Sequence, residues 1–304
     1  MSEILVCDWG TSSFRLMRLS AEGEIVGQIA SQAGIKSLQN KEIEAYLLDQ
    51  CHQLDESGAL PVILCGMVGS GIGWYEVPYV DCPVSIASLA GAIQSMPSGA
   101  VNAYCVPGVK KLTGAEADVM RGEETQAIGW LSGASEAEWA QSLLCLPGTH
   151  SKWMSVVDGA IRDFSTAFTG ELYSLLKEHS VLVQGEQEDS AAAFDTGLED
   201  SRSGTALIHQ LFNSRSRAVL GVLDSAHSAS YLSGLLLGCE VRAMAEKLSA
   251  GAEGKSLVHL ICGDHLAKPY CRALAFYGMD CRHYSGDTYS ARGLLAIARA
   301  SGLV

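Results

Sequence analysis

The stretch Ile4 to Arg18, ILVCDWGTSSFRLMR, constrains this chain more than any other. Ile4, Leu5, Val6 and Cys7 form a short apolar run that suits a buried strand and delivers Asp8 to its end. The chain then turns through Trp9, Gly10, Thr11, Ser12 and Ser13 into a second apolar alternation of Phe14, Leu16 and Leu19. That pattern predicts a tight hairpin with polar groups at its tip. Gly10 lets backbone approach a ligand, and the amides and hydroxyls of Thr11 and Ser12 are donors of the kind a phosphate needs. Asp8 suits Mg²⁺ held through water, because Mg²⁺ takes carboxylate and phosphate oxygens and gives up its waters reluctantly. The same residues also make an ordinary polar turn.

At 304 residues the chain exceeds the size at which one core stops growing, so two domains are expected. With 48% apolar and 18% charged residues, it reads as a well-buried globular enzyme rather than a disordered or fibrous chain. No apolar run is long enough to span a bilayer, and no basic region or signal core precedes the first strand. A cytoplasmic protein with no membrane partner is therefore expected. The ten cysteines contain no C-x-x-C pair, so neither a zinc site nor a dithiol motif is encoded. Cys7, Cys65, Cys105, Cys145 and Cys262 lie in or beside apolar runs and read as reduced packing residues. A net charge of −13 argues against nucleic acid as a partner. An anionic small substrate would need a local cluster of positive charge.

Further along, Pro61 to Cys65 reads as a second buried strand that opens into GMVGSGIGW, residues 66–74, with four glycines in its first eight positions. The spacing is neither a dinucleotide fingerprint nor a Walker A loop. Gly66, Met67, Ser70, Gly73 and Trp74 are the candidate substrate contacts, the aromatic and apolar members adding area to a glycine frame. Ala103 to Val106 is a strand, and a boundary near residue 110 is expected, giving domains 1–110 and 111–304 with the last helix free to pack on the first domain. Ala115 to Gly129 reads as a helix with Asp118 in its first turn, and Asp118, Glu123 and Glu124 also suit a solvated helix face.

Leu143 to Leu146 breaks at Pro147-Gly148-Thr149-His150-Ser151-Lys152 before a strand pair, repeating the opening unit. His150 reads as a hydrogen-bonded loop residue, Thr169 to Glu171 as caps of a helix, and Arg215 with Arg217 as surface. A third strand, Leu257 to Ile261, runs into Cys262-Gly263-Asp264-His265 and a helix, and Tyr289 to Ala300 reads as a final helix.

Three glycine turns after buried strands, in this order, resemble the actin-like ATPase and sugar-kinase superfamily. That resemblance implies an α/β fold of two actin-like, ribonuclease H-like domains with a nucleotide cleft between them. The combination of DWGTSSFR, GMVGSGIGW, ADVMRGEETQ, PGTHSKW and FTGELYSLLKEHSVL is similar to the 2-keto-3-deoxygalactonate kinase family, from about residue 4 to 300. It implies ATP- and Mg²⁺-dependent phosphorylation of the 6-hydroxyl of 2-dehydro-3-deoxy-D-galactonate in galactonate breakdown. Another keto-deoxy acid or polyol, or a nucleotide-gated binding protein without catalysis, is the alternative.

By that resemblance Asp118 is the candidate base and Arg15 the charge at the γ-phosphate. Asp8 would organise the metal, while Gly10, Thr11, Ser12, Gly148, Thr149 and Lys152 would hold phosphates. Gly263 and Asp264 would seat the adenosine, with Asp264 standing where many superfamily members carry a second glycine. Arg121 and Lys152 are candidates for the phosphate or the substrate carboxylate. A symmetric homodimer is the default for such enzymes.

Overall fold

The computed structural model describes residues 2–114, 116–249 and 257–304. In chain order the strands are β1 (Ile4–Trp9), β2 (Phe14–Leu19), β3 (Ile25–Ser31), β4 (Val62–Gly66), β5 (Val80–Asp81), β6 (Gln94–Ser95) and β7 (Ala103–Cys105). They continue with β8 (Val109–Thr113), β9 (Glu116–Met120), β10 (Gln141–Leu146), β11 (Ser151–Val157), β12 (Ala160–Ala167), β13 (Leu257–Cys262) and β14 (Asp280–Ser285).

Six strands form one sheet in the order β3-β2-β1-β4-β7-β6 and five form another in the order β12-β11-β10-β13-β14. The two share one plan, in which a central strand is flanked on one side by its own hairpin and on the other by a strand reached through a crossover. β1 pairs antiparallel with β2 and parallel with β4, and β10 runs parallel to β13. A small third sheet has the order β5-β8-β9.

The unbroken apolar run of β1 follows from burial on both faces, as expected of a strand inside a covered sheet. Leu5, Cys7 and Trp9 join a core with Ile43, Leu47 and Cys51 of helix Asn40–Leu54. Trp9 is fully buried, meets Phe14 edge-on with ring centroids 4.8 Å apart, and donates its indole N–H to the Ala33 carbonyl at 2.9 Å. Helix Gly286–Ala300 packs on β1, and it crosses helix Glu123–Leu131 where two glycines coincide. A Cβ on Gly293 would overlap the Thr125 carbonyl, and one on Gly129 would overlap that of Tyr289. Only hydrogen at both positions allows so close an approach.

The chain divides into two compact units, Met1–Ser142 with Met154–Ser165 and Ser285–Val304, and Leu143–Trp153 with Thr166–Tyr284. All ten cysteines are free thiols, and the five named above are buried. Among the described residues no helix is long and apolar enough to cross a membrane.

One expected element is different. Glu116–Met120 is strand β9, paired antiparallel with β8 so that Asp118 lies opposite Lys111, and the helix begins only at Glu123. Ala and Glu are good helix formers, but that preference is worth only a few tenths of a kcal/mol per residue, and ladder pairing outweighs it. Gly114, at φ 60°, bends the chain into the hairpin. Ala115 lies outside the described residues.

Candidate active site

In the first unit the polar groups gather where β1 and β4 end. Side chains alternate along a strand, so Asp8 points away from Cys7 and Trp9 toward helix Gly286–Ala300, where Ser290 Oγ donates to its Oδ2 at 3.0 Å. Its partner across the hairpin is Arg15, whose Nη1 is 3.7 Å from Asp8 Oδ2 and whose Nε is 3.3 Å from Asp287 Oδ1. Burial pushes the Asp8 carboxyl above its ordinary value, and the Arg15 charge opposes that. The turn carrying Gly10, Thr11 and Ser12 is closed by Gly10 N–H donating to the Ser13 carbonyl at 2.9 Å. It is braced by Ile35 and Lys36, whose amides donate to the Gly10 and Thr11 carbonyls.

The glycine loop is a packed structure. Met67–Gly69 is one 3-10 turn, Trp74 N–H donates to the Val68 carbonyl at 2.9 Å, and Asn40 Nδ2 donates to the Gly73 carbonyl at 2.6 Å. Ser70 Oγ is committed to the Met67 carbonyl. Arg121 reaches this loop from the side. Its Nη2 donates to the Val77 carbonyl at 2.8 Å and its guanidinium lies 4.2 Å above the Tyr79 ring. Arg121 Nε and Nη1 are buried with no hydrogen-bond partner among the described residues.

Asp118 is half-buried on β9, and its Oδ1 accepts the Val119 N–H at 2.8 Å. The acidic group that sits on a helix end is instead the pair Glu123 and Glu124, in the first turn after Gly122. Gly122 lies against Gly66, and Gly66 lies against the Trp9 carbonyl and Asp8 Oδ1, so this helix end adjoins the Asp8 strand end. Glu123 is half-buried and its Oε2 accepts the Arg121 N–H at 3.1 Å. Glu124 is fully buried rather than solvated, its two oxygens accepting the Gly122 N–H at 2.9 and 2.8 Å. Burial, aided by the Glu123 charge, pushes the Glu124 carboxyl from 4.5 up to about 8. The motif RGEE was the available signal for this pair; a glycine followed by two acids at a helix start also describes an ordinary cap, and burial separates the two.

A stability consequence follows for Glu124. Between about 4.5 and about 8 the folded chain keeps a proton that the unfolded chain has released, so stability falls as pH rises through that window. Glu124→Gln is expected to flatten this part of the profile, raising stability at pH 8 more than at pH 5, as read from urea midpoints at the two pH values.

In the second unit the Gly148-Thr149 turn follows β10 and leads into β11. Gly170, in the first turn of helix Thr169–His179, presses on it so closely that a Cβ would overlap the Gly148 carbonyl. Glu171 N–H donates to the Thr149 carbonyl at 2.8 Å, and its carboxylate meets His150 Nε2 at 2.5 Å. The segment expected only to cap its helix therefore also clamps this turn. Lys152 is buried, its Nζ donating to Thr166 Oγ1 at 2.8 Å. Gly263 caps helix Asp264–Phe276, and Asp264 is almost wholly exposed. Beside that helix is a cavity of about 330 Å³ lined by Tyr173, Ser190, Phe194, His265, Lys268 and Arg272. Gly263 and Asp264, expected to seat the adenosine, are not part of that lining, but the next residue, His265, is.

The repeated sheet plan and the glycine turns at the strand ends define an α/β protein of the actin-like ATPase and sugar-kinase fold. Solved structures share it at low identity, among them a 2-hydroxyisocaproyl-CoA dehydratase activator from Clostridium difficile at 12% identity and TM-score 0.53, covering 99% of this chain and 96% of that one. The family model for 2-keto-3-deoxy-galactonokinase matches residues 8–297, and the chain belongs to that family. It is similar to the 2-dehydro-3-deoxygalactonokinase of Escherichia coli K12, 34% identical over 298 residues, covering 97% of each chain. A Sinorhizobium meliloti crystal structure bearing the same kinase designation matches with 31% identity and TM-score 0.88, covering 98% of each chain.

Proposed function

We propose that this kinase transfers the γ-phosphoryl group of ATP to the 6-hydroxyl of 2-dehydro-3-deoxy-D-galactonate, with Glu123 as the general base. The observation that carries the residue assignment is the acidic helix start at Gly122, beside the strand end that bears Asp8. A base must touch the hydroxyl it deprotonates, and Glu123 is accessible where Glu124 is enclosed. Glu123 takes the hydroxyl proton as that oxygen bonds to the γ-phosphorus, and the bond from phosphorus to the β–γ bridging oxygen breaks to release ADP. Arg15 supplies positive charge to the phosphoryl oxygens. Arg121, half-buried beside the glycine loop, is the cation for the substrate carboxylate.

The donor set fits Mg²⁺. Asp8 is one carboxylate at a strand end, and no cluster of three or more metal-ligating side chains occurs among the described residues, which suits an ion that takes most of its ligands from phosphate and water. When bound, the ion neutralises charge on the phosphates. In the second unit, the Gly148-Thr149 turn at the N-terminus of helix Thr169–His179 is the phosphate seat, and the cavity beside helix Asp264–Phe276 is sized for a nucleoside.

Asp8→Asn is expected to lower Mg²⁺-ATP-dependent turnover at least 100-fold; unchanged turnover and nucleotide affinity would remove Asp8 from the metal site. The substrate is tested by ADP release with the galactonate acid and with its gluconate epimer. Dependence on the galactonate form supports the assignment, and equal turnover of both or of neither overturns it.

A further inference from the structure

Helix Ser228–Ser249 carries a carboxyl group in the middle of the second unit's core. Glu240 is only 8% exposed. Its Oε1 accepts the Trp153 indole N–H at 2.8 Å, and the Tyr270 hydroxyl lies 3.1 Å from Oε2 and 3.3 Å from Oε1. The side chains of Thr169 and Ser151 also hydrogen-bond to it, and Tyr270 Oη is 2.5 Å from Ser151 Oγ. A buried carboxyl is costly and adds little stability over an apolar residue of similar size, so its value lies in what it holds in place.

What it holds is specific. Ser151 and Trp153 begin β11, immediately after the Gly148-Thr149 turn. Thr169 opens the helix whose next residue, Gly170, presses on that turn. Tyr270 belongs to helix Asp264–Phe276, which presents His265, Lys268 and Arg272 to the 330 Å³ cavity. One side chain therefore ties together both walls of the phosphate seat and the helix that lines the nucleoside cavity.

We propose that Glu240, acting through Tyr270 and Ser151, is a positioning residue that sets the Gly148-Thr149 turn for nucleotide phosphates. This rests on reading the turn as the phosphate seat. Glutamine at 240 replaces one acceptor oxygen with a donor, so at least one of the Tyr270, Ser151 and Thr169 hydroxyls must reverse its role from donor to acceptor and the present arrangement around Ser151 is disturbed.

The test is calorimetric titration of the full chain with Mg²⁺-ATP and with adenosine, for wild type, Glu240→Gln and Tyr270→Phe, alongside steady-state kinetics. The expected result is Mg²⁺-ATP binding weakened at least tenfold in Glu240→Gln and severalfold in Tyr270→Phe, with adenosine affinity and the KM for the sugar acid within twofold of wild type. A purely structural role would lower the melting temperature and weaken both ligands alike, or neither, and either outcome overturns the proposal. If Glu240→Gln does not fold, Tyr270→Phe, which keeps the ring and removes only the hydroxyl, decides. Wild type that binds Mg²⁺-ATP without turning over the sugar acid contradicts the proposed reaction but leaves this binding test intact. Wild type that binds no Mg²⁺-ATP overturns the positioning role itself.

Discussion

Glu123→Gln lowers kcat by roughly 10²- to 10⁴-fold, the usual contribution of a positioned base, while Mg²⁺-ATP affinity stays within a few-fold. Glutamine keeps the length and the acceptor for the Arg121 N–H, so the helix start at Gly122 is preserved and only proton uptake is lost. Asp118→Asn, on β9 with Oδ1 bonded to the next amide, keeps turnover within a few-fold. Single-turnover rates with both variants separate the two carboxylates. A collapse in Asp118→Asn with Glu123→Gln near wild type would return the base to β9 and sink the assignment made here.

Gly293→Val destabilises the protein by about 3 kcal/mol or more, because the added carbons fall on the Thr125 backbone at a helix crossing that has no room to relax. Gly129→Val, on the opposing helix at the same crossing, behaves similarly, and the two effects are not additive because they disturb one contact. Gly99→Ala, with nothing within 4 Å of its Cβ position, is the control and moves stability by no more than about 0.5 kcal/mol. Urea unfolding measures all three. Thr125 follows Glu123 and Glu124 in the same helix, so the Gly293 variant also loses activity below its melting temperature. A Gly293→Val protein as stable as wild type would mean the helices do not cross here.

The first hairpin was legible because two periodicities agree along it. A continuous apolar run marks β1, covered on both faces, and alternation marks β2, while Gly10 and the hydroxyl residues mark the turn. The second hairpin was legible in the same way, from Leu143 to Phe164. The stretch after Gly114 was not. Its residues have helical leanings, but β8 was already available as a partner, and a local preference of a few tenths of a kcal/mol per residue does not survive a ladder of backbone hydrogen bonds. Asp118 was misplaced with it. The His150 ring and the Glu171 carboxylate meet in a side-chain hydrogen bond across 21 positions, and no pattern in either segment announces it.

The linear order of strands, glycine turns and acids determined the fold class and the family resemblance, because each motif is read from spacing within its own segment and the motifs follow one another in a set order along the chain. Long-range packing alone decided which acid is enclosed and which is open at Gly122, since Glu123 and Glu124 are chemically alike and only their surroundings separate them. It also decided that Glu240, more than eighty residues from Trp153, would meet the Ser151 strand and Tyr270 in one buried cluster. Burial and hydrogen-bond satisfaction are properties of neighbours brought together by the chain's return, and no local pattern encodes them.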